Sequence, residues 1–134
     1  MATIAAPSVP VSWGELLDKI TILEIKRDRI TRADARTNVL REYRLLQSIG
    51  AAALNRGGVA VLVEALKRVN EALWEIEDAI REQEAARDFG PEFIRLARAV
   101  YQRNDERAAI KREINHALDS DLVEEKSYAA SIAA

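Results

Sequence analysis

The sequence predicts an all-α protein: an antiparallel helical bundle of about four helices with an extended N-terminal arm. Three observations predict it. Apolar residues make up 49% of 134 residues and recur at three- and four-residue spacing, the period of a helix packed on one side. Five Gly and three Pro are too few for the many turns of a β-rich fold. The strongest breakers fall at Gly57-Gly58 and Gly90-Pro91, and they divide the chain into long helical stretches.

Residues 1–11 form the arm, which Pro7 and Pro10 hold extended. This segment has neither a basic start nor a long apolar run, so it does not read as a secretory signal. Ser12 is the N-cap of helix 1, expected over residues 13–30. Glu15 completes a capping box with it, and Val11 with Leu16 supplies a hydrophobic staple.

Helix 2 is expected over 33–54, with Val39, Tyr43, Leu46 and Ala53 on one face. Thr31 and Asp34 separate it from helix 1, and one bent helix is the alternative. Helix 3, over 59–87, carries Leu62, Leu66, Val69, Leu73, Ile76 and Ile80 at alternating spacings of four and three. That stripe suits a seam between antiparallel helices crossing at a shallow angle.

Pro91 suits the first position of helix 4, expected over 92–118, because its missing N–H costs nothing there. Phe93, Leu96, Ala97 and Val100 begin its apolar face. Ser120 starts a short turn, and the Ala-rich end frays. A single domain over 1–134 with a partly ordered tail over 119–134 is expected.

Composition excludes several function classes. With 20 basic and 22 acidic residues the net charge is −2, unlike a dedicated nucleic-acid binder. The basic run Lys26, Arg27, Arg29 and Arg32 is interleaved with Asp28 and Asp34, and it complements the dipole at the end of helix 1. No apolar run approaches the ~18 residues of a membrane span. Without cysteine there is no disulfide, thiolate metal site or cysteine nucleophile. A cytoplasmic protein with neither nucleic-acid nor membrane partners is expected.

Two interrupted faces carry the functional argument. On a wheel of about 100° per residue, Leu16, Ile20, Leu23 and Ile30 share one face of helix 1, with Arg27 inside it and Glu24 at its edge. Ile22 and Ile25 lie opposite, among Asp18 and Arg29. Such a helix is covered twice, by a later helix or by a second copy. Exposure of Ile22 and Ile25 is the plainer alternative. Asp18, Ile22 and Ile25 are the interface candidates.

In helix 4 the apolar face runs on through Asn104, Arg107 and Lys111 before Leu118. Burying such groups unpaired costs several kcal/mol each, so they pair, reach solvent or bind something. Glu24 and Arg27 are natural partners if helices 1 and 4 are neighbours. A register-fixing network, or a stripe drifting onto Ile110 and Ile114, accounts for the pattern structurally. The functional reading is an anion-binding cleft of Glu24, Arg27, Arg107 and Lys111, with Tyr101 or Asn104 orienting the ligand.

Helix 3 also concentrates Glu71, Glu75, Glu77, Asp78, Glu82 and Glu84. Glu71 with Glu75, or Glu75 with Asp78, have the one-turn spacing by which all-helical nucleotide pyrophosphatases hold Mg²⁺. Asp105 and Glu106, being adjacent, make a poor second pair. A solvated helix face looks the same, and no metal or cofactor is expected. His116, alone on a helix, is expected at the surface, and Trp13 and Trp74 in packing.

Four segments carry a resemblance. They are Val11-Ser12-x-Gly14-Glu15-Leu16-x-Asp18-Lys19-Ile20-Thr21-Ile22-Leu23-Glu24-Ile25-Lys26, Leu73-Trp74-x-Ile76-Glu77-Asp78, Val100-Tyr101-x-x-Asn104-Asp105-x-Arg107-Ala108-x-Ile110-Lys111-x-Glu113-Ile114-Asn115, and Glu124-Glu125-Lys126-Ser127-Tyr128. Together they resemble a small bacterial family of uncharacterised helical proteins. The resemblance covers nearly the whole chain and implies a bacterial, cytoplasmic, helical protein. It transfers no catalytic role, and it marks Glu15, Asp18, Lys19, Glu24, Asn104, Arg107 and Lys111 as the candidate surface.

The expected function is a non-enzymatic interaction or adaptor module acting as a homodimer, through helix 1 or the long helices, with a further protein partner as an option. The alternatives are an anion-binding enzyme on the pattern of all-helical chorismate mutases, whose Arg and Lys clamp two carboxylates, and a Mg²⁺-dependent nucleotide pyrophosphatase.

Overall fold

The structure is a computed structural model, and it describes residues 3–128. Four α-helices follow one another: α1 (Trp13–Arg29), α2 (Ala33–Gly50), α3 (Val59–Ala85) and α4 (Pro91–Ala117). A short 3₁₀ turn, Ala51–Asn55, links α2 to α3, where the sequence suggested that helix 2 ran on to residue 54. None of the described helices is long and apolar enough to cross a membrane. Residues 3–11 form an exposed, non-helical arm, and Ser12, at the start of α1, is buried.

The ends of the helices have local causes. Ser12 Oγ accepts from the Glu15 N–H at 3.1 Å, which is half of the expected capping box. The other half is missing because the Glu15 carboxylate is drawn to Lys111. Ile30 and Arg32 are extended, so α1 and α2 are separate helices. Arg36 of α2 donates to the carbonyls of Arg27 and of Ile30, covering orphan acceptors at the end of α1.

Pro91 opens α4 as expected. α3 and α4 both stop on a left-handed residue that is not glycine, Arg87 at φ 54° and Asp119 at φ 50°. In each, the next amide bonds back into the last turn: Asp88 N–H to Gln83 O at 2.9 Å, and Ser120 N–H to Asn115 O at 2.8 Å.

α1 packs against all three other helices, whereas α2 leans only on α1 and the 3₁₀ turn, and α3 pairs with α4. Cross-helix pairs set the directions. Lys19 meets Glu42, and Gly14 meets Asn115, so α1 runs antiparallel to α2 and α4. Asp18 meets Asn70, and Arg29 meets Glu75, so α1 runs parallel to α3.

The covering of α1 comes from its own chain. Leu17, Ile20, Leu23 and Ile25 are all buried, so the second face that Ile25 marks needs no second copy. Around Leu17 and Ile20 gather Ala53, Val59, Leu66 and Ile114, edged by Trp13, Tyr43, Leu46, Leu62 and Ile110. The α4 stripe does drift onto Ile110 and Ile114, yet Lys111 beside them is buried rather than solvated.

Close approach decides where α1 touches its neighbours. Gly50 of α2 lies where a Cβ would come within 2.6 Å of Ile20 Cδ1. Residues 120–128 continue as a largely exposed, irregular segment. The expected fraying of the Ala-rich end falls on residues 129–134, which lie outside the described residues.

Candidate functional site

α1, α3 and α4 bring a set of polar side chains into the core. Asp18 (1% exposed) and Thr21 come from α1, Asn70 from α3, and Lys111 and Asn115 from α4; all five are buried. Asp18 and Thr21 are one helical turn apart and present a single polar face to the α3–α4 hairpin. Thr21 Oγ1 donates to Asp18 O at 2.7 Å.

Arg107 approaches Asp18 with two nitrogens: Nε donates to Oδ1 at 2.9 Å, and Nη2 to Oδ2. This fork geometry is the strongest arrangement open to arginine and carboxylate. Asn70 Nδ2 donates to the same Oδ1 at 2.9 Å and to Thr21 Oγ1 at 2.9 Å. Arg107 Nη1 reaches Asn104 Oδ1 at 3.4 Å.

Lys111 has three carboxylates around it. Its Nζ lies 2.7 Å from Glu15, 3.3 Å from Glu124 and 4.0 Å from Asp18. Burial pushes the Lys111 ammonium toward neutrality, but Glu15, Asp18 and Glu124 outweigh it, and its pKa is raised. The hydrogen bond to Asp18 likewise raises Arg107. Both cations are therefore fixed in the charged state at neutral pH.

Beside this network a cleft of about 410 Å³ opens between α1, α3 and α4. Ile22, Ile25, Leu73 and Trp74 supply apolar lining; Asn70, Asn104 and Arg107 supply polar groups; Glu77, Asp78 and Arg81 complete it.

The structure sorts the sequence candidates into three groups. Asp18, Asn104, Arg107 and Lys111 come together, with Glu15 from the resemblance. Glu24 and Arg27 do not join them: they face α2, where Glu24 accepts from Tyr43 Oη at 3.3 Å and Arg27 lies 5.1 Å over the Tyr43 ring. The sequence paired them with α4, but α1 touches three helices and these two positions belong to the α2 side. Lys19 also turns to α2.

Tyr101 stands 51% exposed, near Arg98. Of the interface candidates, Asp18 and Ile25 are covered within the chain, and Ile22 is half-buried in the cleft. His116 is exposed, and Trp74 sits in the cleft. Glu75 pairs with Arg29, and among the described residues no three acidic or histidine side chains converge as a metal set.

Sequence reasoning passed over Gly14, Thr21, Asn70, Asn115 and Glu124. Asn70 carried a signal: it stands four residues after Leu66 and three before Leu73, a polar residue on an apolar stripe. Gly14 carried another, as a glycine inside a helix. Its N–H donates to Asn115 Oδ1 at 2.7 Å, and no side chain fits between it and α4. Glu124 had none, because nothing in its own segment shows which helix it returns to.

Fold and site together define a helical protein assembled around an internal ion-pair network, with an open cleft at its side. The chain belongs to DUF6165, a family of unknown function, which it matches over residues 8–134. No curated protein and no solved structure matches it.

Proposed function

We propose that this protein is a non-enzymatic helical interaction module that acts as a homodimer. The observation that supports it most is the pairing of the core. Asp18 and Lys111, the buried titratable side chains, are each engaged by opposite charges. Their charge holds three helices in register, and neither stands ready as an acid, base or nucleophile.

Apolar surface stays open on α2, as it does at Val61 of α3 and Ile94 of α4. Leu45 and Ile49, one turn apart, are 60% and 53% exposed, and no other helix covers that side. The enclosure of α1 within its own chain moves the proposed contact from α1 to α2. A second copy presenting the same face would form a two-fold, self-complementary contact. The cysteine-free composition supports a reducing, cytoplasmic setting.

The enzymatic alternatives have less support. A chorismate-mutase-like clamp needs cations free to grip substrate carboxylates, and here Arg107 and Lys111 grip Asp18 and Glu15. The pyrophosphatase reading rests on Glu75, which is committed to Arg29.

Sedimentation across a range of concentrations tests the proposal. The wild-type chain should approach twice its 15.0 kDa mass, and Leu45→Glu with Ile49→Glu should hold it at the single mass with helicity retained. A wild-type chain that stays monomeric at every concentration would sink it.

A further inference from the structure

The polar core and the cleft meet at Asn70. Its side chain is 4% exposed, and both of its amide hydrogens are used, on Asp18 and on Thr21. An ionised carboxylate only accepts, so the amide cannot be turned round. Asn70 Oδ1 therefore lies on the branch away from α1, and it accepts no hydrogen bond from a described residue.

Among the described residues the one sealed side-chain oxygen lacking a partner is Gln83 Oε1. Asn70 Oδ1 is therefore not fully sealed, and Asn70 lines the cleft. An orientation-fixed carbonyl beside an open cleft, with no donor among the described residues, can accept from a molecule bound there.

A donor lines the same cleft. Asn70 Nδ2 and Arg107 Nε both bond Asp18 Oδ1 at 2.9 Å, so the two side chains meet at Asp18. Asp18 and Asn104 engage three of the five guanidinium hydrogens, which leaves two. Arg107 retains 29% side-chain exposure and lines the same cleft.

Charge selects the occupant. Asp18 cancels Arg107 from behind, and Glu77 pairs with Arg81 at 3.3 Å. Asp78 adds a negative charge with no ion pair among the described residues. Asp78 opposes an anion and Arg107 opposes a cation, which leaves a neutral molecule with both a donor and an acceptor. Leu73 and Trp74 offer flat apolar surface for its body.

We propose that this cleft binds a small neutral lactam or carboxamide on a planar body. Its N–H donates to Asn70 Oδ1, its C=O accepts from the outer edge of Arg107, and its ring lies against Trp74. The cleft volume suits a molecule of that size. This inference does not depend on the dimer reading.

The test uses the full chain labelled with ¹⁵N. Uridine, 2-pyridone and benzamide are titrated against 3-methyluridine, N-methyl-2-pyridone and N,N-dimethylbenzamide, with benzoate as the anionic control. At about 10 mM a millimolar Kd still registers. At least one amide should shift the resonances of Ile22, Asn70, Leu73 and Arg107, with its N-methylated form at least about tenfold weaker because Asn70 is left without a donor.

Trp74→Ala, at the half-buried wall, should keep the fold and weaken binding. No shifts from any amide, equal binding of the methylated forms, or stronger binding of benzoate would each overturn the proposal. Sedimentation of the same samples reads the dimer separately, so the two ideas fail independently.

Discussion

A methyl group built on Gly14 would come within 2.6 Å of the backbone carbonyl oxygen of Lys111. α1 and α4 touch there backbone to backbone, and Asn115 Oδ1, 3.0 Å from the same point, closes the remaining space. The obstacle is main chain, so a longer side chain cannot be accommodated by a rotamer change.

Gly14→Ala sets two effects against each other. In an exposed helix the change would stabilise by about 1 kcal/mol through propensity. Here overpacking costs about 1–3 kcal/mol and also strains the Gly14–Asn115 hydrogen bond. A net loss in urea unfolding is expected, and a gain would show that α4 can retreat.

Asp18→Asn should be among the most damaging single changes. It leaves Arg107 without its carboxylate and Lys111 with one fewer, and breaking a buried pair costs about 3 kcal/mol or more. By contrast, Glu124→Gln removes a partner that is 39% exposed and should cost less than about 1 kcal/mol. Equal losses from the two would contradict this ranking.

Stability should fall at alkaline pH through Lys111. Its folded pKa is raised above the ordinary 10.5, so its contribution is complete below that value and is lost as pH rises through the folded pKa. Lys111→Met should lose less stability than the wild type above about pH 10.5. Parallel pH profiles would exclude Lys111 as the cause.

Arg87→Gly should stabilise the protein. Arg87 holds φ at 54° to end α3, a conformation that costs a side chain about 1–2 kcal/mol. Glycine removes that cost and loses part of the gain to the unfolded chain, for a net of about 0.5 kcal/mol. Thermal melting of the two chains reads the sign.

Periodicity carried most of the fold. Val39 of the helix 2 stripe and Leu66 and Val69 of the helix 3 stripe are buried as spacing implied, because a helix with one apolar side has one way to hide it; Ala53 is buried too, but in the 3₁₀ turn. The ends of α3 and α4 were harder to place, since Arg87 and Asp119 occupy positions where glycine is the usual sign. In the candidate site, Arg107 and Lys111 stood out as charges on an apolar face.

Their partners did not stand out. Asp18 and Glu15 lie 89 and 96 residues away, and no local pattern says which side of α1 meets α4. Glu24 and Arg27 read as partners of the helix 4 charges for the same reason: sequence shows that a charge needs a partner, and only packing shows which one is near.

The backbone N–H of Trp13 donates to Ser120 Oγ at 3.2 Å, across 107 positions of sequence. The first turn of α1 and the residues just past α4 are therefore neighbours, and a short flexible bridge can splice them. New ends can be opened at the Gly57 corner, where an added side chain would meet nothing within 4 Å. In such a permuted chain α1 follows α4 directly, and the longest-range meetings of the native order become short hairpins.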